Sequence, residues 1–237
     1  MFKNFTILGV IPARSGSKGL PNKNIMMCAG KPLIQWTIES ALKVDYLDNV
    51  IVTTDSQDIA MLAETCGAKV PFIRPFEISQ DSSSIIDVID HASKNYLDCN
   101  GNSFDYIVLL QPTSPLRGAV HIKEALEYFF NKKLSDNDSL ISAYKISPKY
   151  GWLMRYNDNN DYVNFCLSSN NLNPQRQKLD EYVLPNGAIC IINARKVNRG
   201  IYSGNTLCYL MSTEESIDID TQDDFCAAEK ALLRKVI

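Results

Sequence analysis

Thr6-Ile7-Leu8-Gly9-Val10-Ile11-Pro12-Ala13-Arg14-Ser15-Gly16-Ser17-Lys18-Gly19-Leu20-Pro21-Asn22-Lys23-Asn24 is the stretch that decides the fold. Residues 6–11 are a short apolar run broken by Pro12, the pattern of a strand buried on both faces of a parallel sheet. The loop after Pro12 carries three cations, two glycines and several small polar residues. A glycine-bearing loop at the C-terminal end of a strand can turn its amides toward an anion, and open α/β sheets bind ligands there. Arg14, Lys18 and Lys23 supply charge for a polyphosphate. The blander reading is a solvated basic loop. It is not a P-loop, because Lys18 stands between Ser17 and Gly19, and no GxGxxG fingerprint is present.

Outward from that loop the same rhythm repeats. Residues 32–44 read as a helix with Pro32 near its first turn. Residues 50–54 form a second β-rich run, followed by a helical stretch to Cys66 that Gly67 stops. Helices are expected at 85–97 and 120–130, with a buried strand at 105–110 between them. Short apolar strands alternating with helical patterns imply βαβ units and a mostly parallel sheet. Residues 139–146 and 188–192 also read as strands. Between them, about 147–183 is an excursion rich in turn residues such as Asn157-Asp158-Asn159-Asn160-Asp161, read as a β-hairpin arm, a lobe or a long surface loop. A last helix is expected over 221–234. One domain spans 1–237.

Composition excludes several classes. Lys and Arg number 24 against 27 Asp and Glu, a net charge of -3, which argues against a nucleic-acid binder. Cys28, Cys66, Cys99, Cys166, Cys190, Cys208 and Cys226 are odd in number and form no CxxC, and His91 and His121 stand far apart. Neither a zinc cluster nor a disulfide framework is expected. No run is long enough for a membrane span, so a reduced, cytoplasmic protein is expected.

Two further segments can carry chemistry. In Asp218-Ile219-Asp220, an extended backbone puts both carboxylates on one side and Ile219 in the core. Such a pair suits Mg²⁺, a hard ion that keeps waters and takes phosphate oxygens; the alternative is that Asp220 or Thr221 caps the last helix. In Leu109-Leu110-Gln111-Pro112-Thr113-Ser114-Pro115-Leu116-Arg117, two prolines stiffen a loop after a buried strand, and Gln111 offers donor and acceptor for a base or sugar. Arg74-Pro75, Asp81-Ser82-Ser83-Ser84 and Arg176-Gln177 carry little by themselves.

Taken in order, Ile11-Pro12-Ala13-Arg14, Gly16 to Pro21, Lys23-Asn24, Thr53-Thr54-Asp55-Ser56, Arg74-Pro75, the Gln111 to Arg117 segment, Pro185-Asn186-Gly187-Ala188 and Ser216 to Thr221 resemble the acylneuraminate (CMP-sialic acid) cytidylyltransferase family, including its legionaminic acid branch. The resemblance covers roughly residues 7–233. It implies a three-layer, Rossmann-like nucleotidyltransferase fold and transfer of CMP from CTP to a nine-carbon 2-keto sugar acid, with pyrophosphate released and Mg²⁺ required (Mn²⁺ substituting). It also implies roles. Arg14 and Lys18 contact the triphosphate with help from Lys23. Asn24, Arg74, Ser83 and Ser84 hold the cytidine. Gln111 and Asn186 lie on the sugar side, Arg176 partners the sugar carboxylate, and Asp218 and Asp220 hold the metal. Deprotonation of the sugar hydroxyl is left to metal polarisation or to Asp218, since both histidines fall on helical segments. Lys149 and Tyr150 compete for one family position. The family uses the excursion as an arm for homodimerisation. The nearest rivals are another nonulosonic acid as substrate, or a nucleotide-binding protein of this fold without activity.

Overall fold

The computed structural model describes residues 1–16, 19–157, 162–166, 180–202 and 204–236. In chain order it contains β1 (Ile7–Pro12), β2 (Met27–Cys28), β3 (Lys31–Pro32), α1 (Leu33–Leu42), β4 (Asn49–Thr53), α2 (Gln57–Thr65), α3 (Ile85–Asn95), β5 (Tyr106–Leu109) and α4 (Ala119–Lys132). Then come β6 (Ser139–Ile146), β7 (Met154–Asn157), β8 (Tyr162–Phe165), β9 (Tyr182–Asn193), β10 (Thr206–Leu210) and α5 (Gln222–Val236).

Six strands form the main sheet in the order β10-β6-β9-β5-β1-β4. Leu8 and Val10 of β1 pack with Ile89 and Ala92 of α3 on one face. Ile7 and Ile11 pack with Ile34, Ile38, Leu126 and Phe129 of α1 and α4 on the other. The fold is therefore three-layered α/β. A strand covered on both faces needs no polar alternation, which is why residues 7–11 read as one continuous apolar run.

The pairings β4–β1, β1–β5 and β6–β10 are parallel, whereas β9 runs antiparallel between β5 and β6. This reversal positions the site. An antiparallel strand enters the sheet at the edge where its parallel neighbours end, so Asn186 and Gly187 sit beside the loops that follow β1 and β5. The strand expected at 188–192 is the inner part of β9; its outer residues, Tyr182 to Pro185, pair with Ala143 to Ile146 beyond a register shift. In the excursion, β7 pairs with β8 as an antiparallel hairpin.

The helices fall close to their expected places. Gly67 closes the α2 region with φ of 92°, the left-handed conformation that a stop glycine supplies. Pro32 stands just outside α1, extended at φ −54° and ψ 142°, because it pairs with Met27 in the β2–β3 hairpin. The sequence pattern signals neither that hairpin nor β10. A third apolar cluster joins Leu20, Cys28, Leu33, Ile219, Phe225 and Leu232, clamping α5 onto the hairpin and the start of α1. Ile219 is fully buried there. Its burial contributes about 1.5–3 kcal/mol and anchors the acidic segment against the first loop.

Candidate functional site

The first loop leaves β1 and is docked at once. Ser15 donates through its amide and hydroxyl to the Asp55 carboxylate, at 2.9 and 2.8 Å. Asn24, 4% exposed, donates from Nδ2 to the Arg14 carbonyl at 3.0 Å. Lys23 donates from Nζ to the Ile219 carbonyl at 2.6 Å and pairs with Asp220 Oδ1 at 3.1 Å. Gly19 faces the same segment: a Cβ there would stand 2.4 Å from the Asp220 carbonyl oxygen, closer than any side chain allows. Loop and acidic segment meet through backbone, and only glycine permits it.

A second wall comes from the chain after β4. The Arg74 amide donates to the Thr54 carbonyl at 2.7 Å, and Nε to Ser79 Oγ at 3.0 Å. Burial pushes the Arg74 guanidinium below its ordinary value, the Asp55 charge working against that shift and Arg14 with it. Ser83 accepts from the Gln80 amide at 2.9 Å, and Ser84 caps α3 by accepting from the Ile86 amide at 3.1 Å. Arg14 forms an ion pair with Asp81 of this wall.

The third side is the Gln111 loop with the entry of β9. Gly187 has φ of 68°, and a Cβ there would lie 3.4 Å from Gln111 Nε2 and 3.6 Å from Asp218 Oδ2. The Gln111 amide and the Asp218 carboxylate thus converge on one spot. Asn186 lies beneath it, 3% exposed, with Oδ1 accepting from Ser142 Oγ at 2.6 Å and Nδ2 donating to Ser216 Oγ at 2.9 Å. Its side chain is engaged inside the fold, bracing β6, β9 and the segment before Asp218.

Arg14, Lys23, Asn24, Arg74, Ser83, Gln111 and Asp220 all border one cleft of about 390 Å³, within the range of small-molecule sites. Of the remaining expected residues, Asp218 stands next to Gln111, Ser84 next to Ser83, and Asn186 below. Lys18 and Arg176 lie outside the described residues. Neither histidine borders the cleft; His121 instead accepts from the Gly118 amide at 3.1 Å and lies 3.3 Å from Glu215. Sequence reasoning gave Gly19 only its share in the glycine-bearing loop and assigned no individual role to Asp81, Thr113 or Gly187. The Asn-Gly dipeptide at 186–187 is a turn signal for the last; nothing in the sequence pairs Asp81 with Arg14.

The acidic segment suits a hard cation. Asp218 is solvent-exposed at its edge, yet the groups around it remove enough water to raise its carboxyl above the usual range, with Asp220 and Asp224 adding to the rise. Thr113 and Lys23 oppose it. Two like charges flanking one buried residue, only part-neutralised by Lys23, form an oxygen-donor pair with positions left for other ligands. Among the described residues no group of three or more His, Cys, Asp or Glu side chains is placed to hold a metal ion.

A family model described as cytidylyltransferase matches residues 8–183. The chain is 37% identical over 221 residues to an N-acylneuraminate cytidylyltransferase of Escherichia coli O18:K1:H7, covering 92% of this chain and 50% of that protein. It is 39% identical over 236 residues to a CMP-N,N'-diacetyllegionaminic acid synthase of Legionella pneumophila, covering 95% of this chain and 96% of that one. Among solved structures, a CMP:2-keto-3-deoxy-manno-octonic acid synthetase complexed with CTP has the same fold, with a TM-score of 0.71, 19% identity, and coverage of 97% of this chain and 99% of that one. The chain spans about half the length of the N-acylneuraminate relative. With the three-layer sheet and the glycine-bearing cationic loop already in place, the match over most of its length settles the family: the chain belongs to the cytidylyltransferases.

Proposed function

We propose that this chain transfers CMP from CTP to the anomeric hydroxyl of a nine-carbon 2-keto sugar acid of the N-acylneuraminate type. The hydroxyl gives up its proton, to Asp218 or to water, as its oxygen forms a bond to the α-phosphorus; the bond from that phosphorus to the bridging oxygen breaks, and pyrophosphate leaves with the electron pair. The observation that carries this reading is the convergence of Arg14, Lys23, Arg74, Gln111 and Asp220 on one cleft. Phosphoryl-type transfer is mostly positioning and charge stabilisation, so cations facing a carboxylate pair are the equipment it needs. Arg14, with Lys18, would bind the triphosphate. Lys23 holds the acidic segment in register with the loop, and Asn24 holds the Arg14 backbone. Arg74, Ser83 and Ser84 form the nucleoside wall. Gln111 presents its amide where the sugar would lie, Asn186 braces that side from below, and Arg176 would meet the sugar carboxylate. Asp218 and Asp220 would hold Mg²⁺, or Mn²⁺ in its place, which when bound screens the phosphates and polarises the one under attack.

A second reading is the same reaction on a legionaminic acid, favoured by one observation: the Legionella relative matches end to end. Pyrophosphate release with CTP and Mg²⁺, scored on N-acetylneuraminic and N,N'-diacetyllegionaminic acids, separates the two. CTP binding without release on either acid would sink the catalytic reading and leave a nucleotide-binding protein.

The chain is also proposed to act as a cytoplasmic homodimer through the 147–183 arm. Among the described residues no helix is long and apolar enough to cross a membrane. Tyr150, Leu153, Met154, Val183 and Leu184 are exposed apolar side chains on and beside the arm, surface that a dimer contact would cover. Light scattering is expected to give twice the 26.6 kDa chain mass; a monomer mass at micromolar concentration discards the arm as a dimer contact.

A further inference from the structure

Thr113 holds the acidic segment in two ways. Its carbonyl accepts from the Ile219 amide at 2.9 Å, fixing the residue between the two carboxylates. Its hydroxyl lies within interaction reach of the Asp218 carboxylate, yet that oxygen is buried and closes no full hydrogen bond. A buried hydroxyl without a partner is uncommon and calls for a physical reason. Here the surroundings supply one. Gly187 flanks the Asp218 carboxylate without a side chain, so the carboxylate has room to turn there, and Thr113 is the polar group placed to stop it. The loop bearing Thr113 is itself stiff: Pro112 and Pro115 flank it, Ser114 Oγ donates to the Asn186 carbonyl at 3.3 Å, and Arg117 donates to the Gln111 carbonyl at 3.1 Å. A donor on such a loop sits where it is put, the condition for orienting a ligand rather than following it.

We propose that Thr113 is a positioning residue for the metal carboxylate: its hydroxyl donates to one Asp218 oxygen and turns the other toward the cation. This rests on the reading that Asp218 and Asp220 hold a divalent ion. Groups that orient a metal ligand typically change affinity by about 10–100-fold when removed.

The test is Mn²⁺ binding to the full chain, followed by electron paramagnetic resonance, for wild type, Thr113→Val, Thr113→Ala, Thr113→Ser and Asp218→Asn. Valine keeps the shape and removes an unpaired hydroxyl, a change that in a purely structural role costs nothing. The expected result is Mn²⁺ affinity weakened at least about tenfold in Thr113→Val and Thr113→Ala and recovered in Thr113→Ser. In turnover the half-saturating metal concentration rises while kcat at saturating metal returns close to wild type. Wild-type Mn²⁺ affinity in both Thr113→Val and Thr113→Ala overturns the positioning role. Wild-type affinity in Asp218→Asn overturns the metal reading beneath it instead.

Discussion

Asp218→Asn is expected to lose CMP transfer by on the order of 10³-fold and yet to melt higher than wild type without metal. The two effects have one cause. Burial first, then the charges of Asp220 and Asp224, raise the Asp218 carboxyl in the folded state. Since that value lies above the unfolded one, ionised Asp218 subtracts stability at every pH above the raised value and subtracts none below the ordinary carboxylate range. Asparagine keeps the shape and removes the charge, so the metal-free variant gains at neutral pH and the difference vanishes on acidification below the ordinary range. Divalent metal then reverses the order. Wild type gains about 2.7 kcal/mol at one hundred times the dissociation constant, and the variant gains little. Thermal melts of both proteins with and without Mg²⁺, at neutral and acid pH, read all four corners. A variant stabilised by Mg²⁺ as strongly as wild type would remove Asp218 from the metal site.

Arg117→Met is expected to damage the fold rather than the chemistry. Arg117 is fully buried, and burial alone pushes its guanidinium down to about 9, so it carries its charge at neutral pH with no carboxylate among the described residues to balance it. Its partners are neutral acceptors from three places. One terminal nitrogen donates to the Gln111 and Ala188 carbonyls at 3.1 and 2.8 Å, the other to Thr37 Oγ1 at 2.7 Å. The side chain therefore ties the Gln111 loop, β9 and α1 together. Methionine relieves the cost of a buried charge but strands those acceptors, at about 1–3 kcal/mol each. The net loss is on the order of 3–5 kcal/mol. For a domain of this size that lowers Tm by about 10 °C and cuts soluble yield. Arg117→Lys recovers only part, because an ammonium lacks the planar fork that spans separated acceptors. A Tm within about 2 °C of wild type for Arg117→Met would show that the fork is dispensable.

Much of the site was legible one segment at a time. The cationic loop after β1, the Gln111 loop after β5 and the alternating carboxylates at 218 and 220 each obey a local rule of strand ends or of residue period, and the cleft brings all three together. Side-chain duties were less legible. Lys23, expected to assist at the phosphates, borders the cleft with its ammonium bonded to the Ile219 carbonyl and Asp220. Asn186 is read as facing the sugar, but its amide is engaged inside the fold. Such duties depend on partners distant in the chain, and no local spacing encodes them.

By itself the sequence determined an α/β class with a mostly parallel sheet, because a doubly covered parallel strand must be apolar throughout and a helix must keep its period. It also placed a glycine-bearing cationic loop after the first strand and a carboxylate pair at 218 and 220. The tertiary structure alone decided that β9 runs against its neighbours, since hydrophobic period reports which face a residue takes and never which way the strand points. That reversal sets Gly187 beside Gln111 and Asp218. In the same way, the burial of Ile219 under α5 decided that the carboxylate pair meets the first loop: contact between segments so far apart is a property of packing, not of spacing.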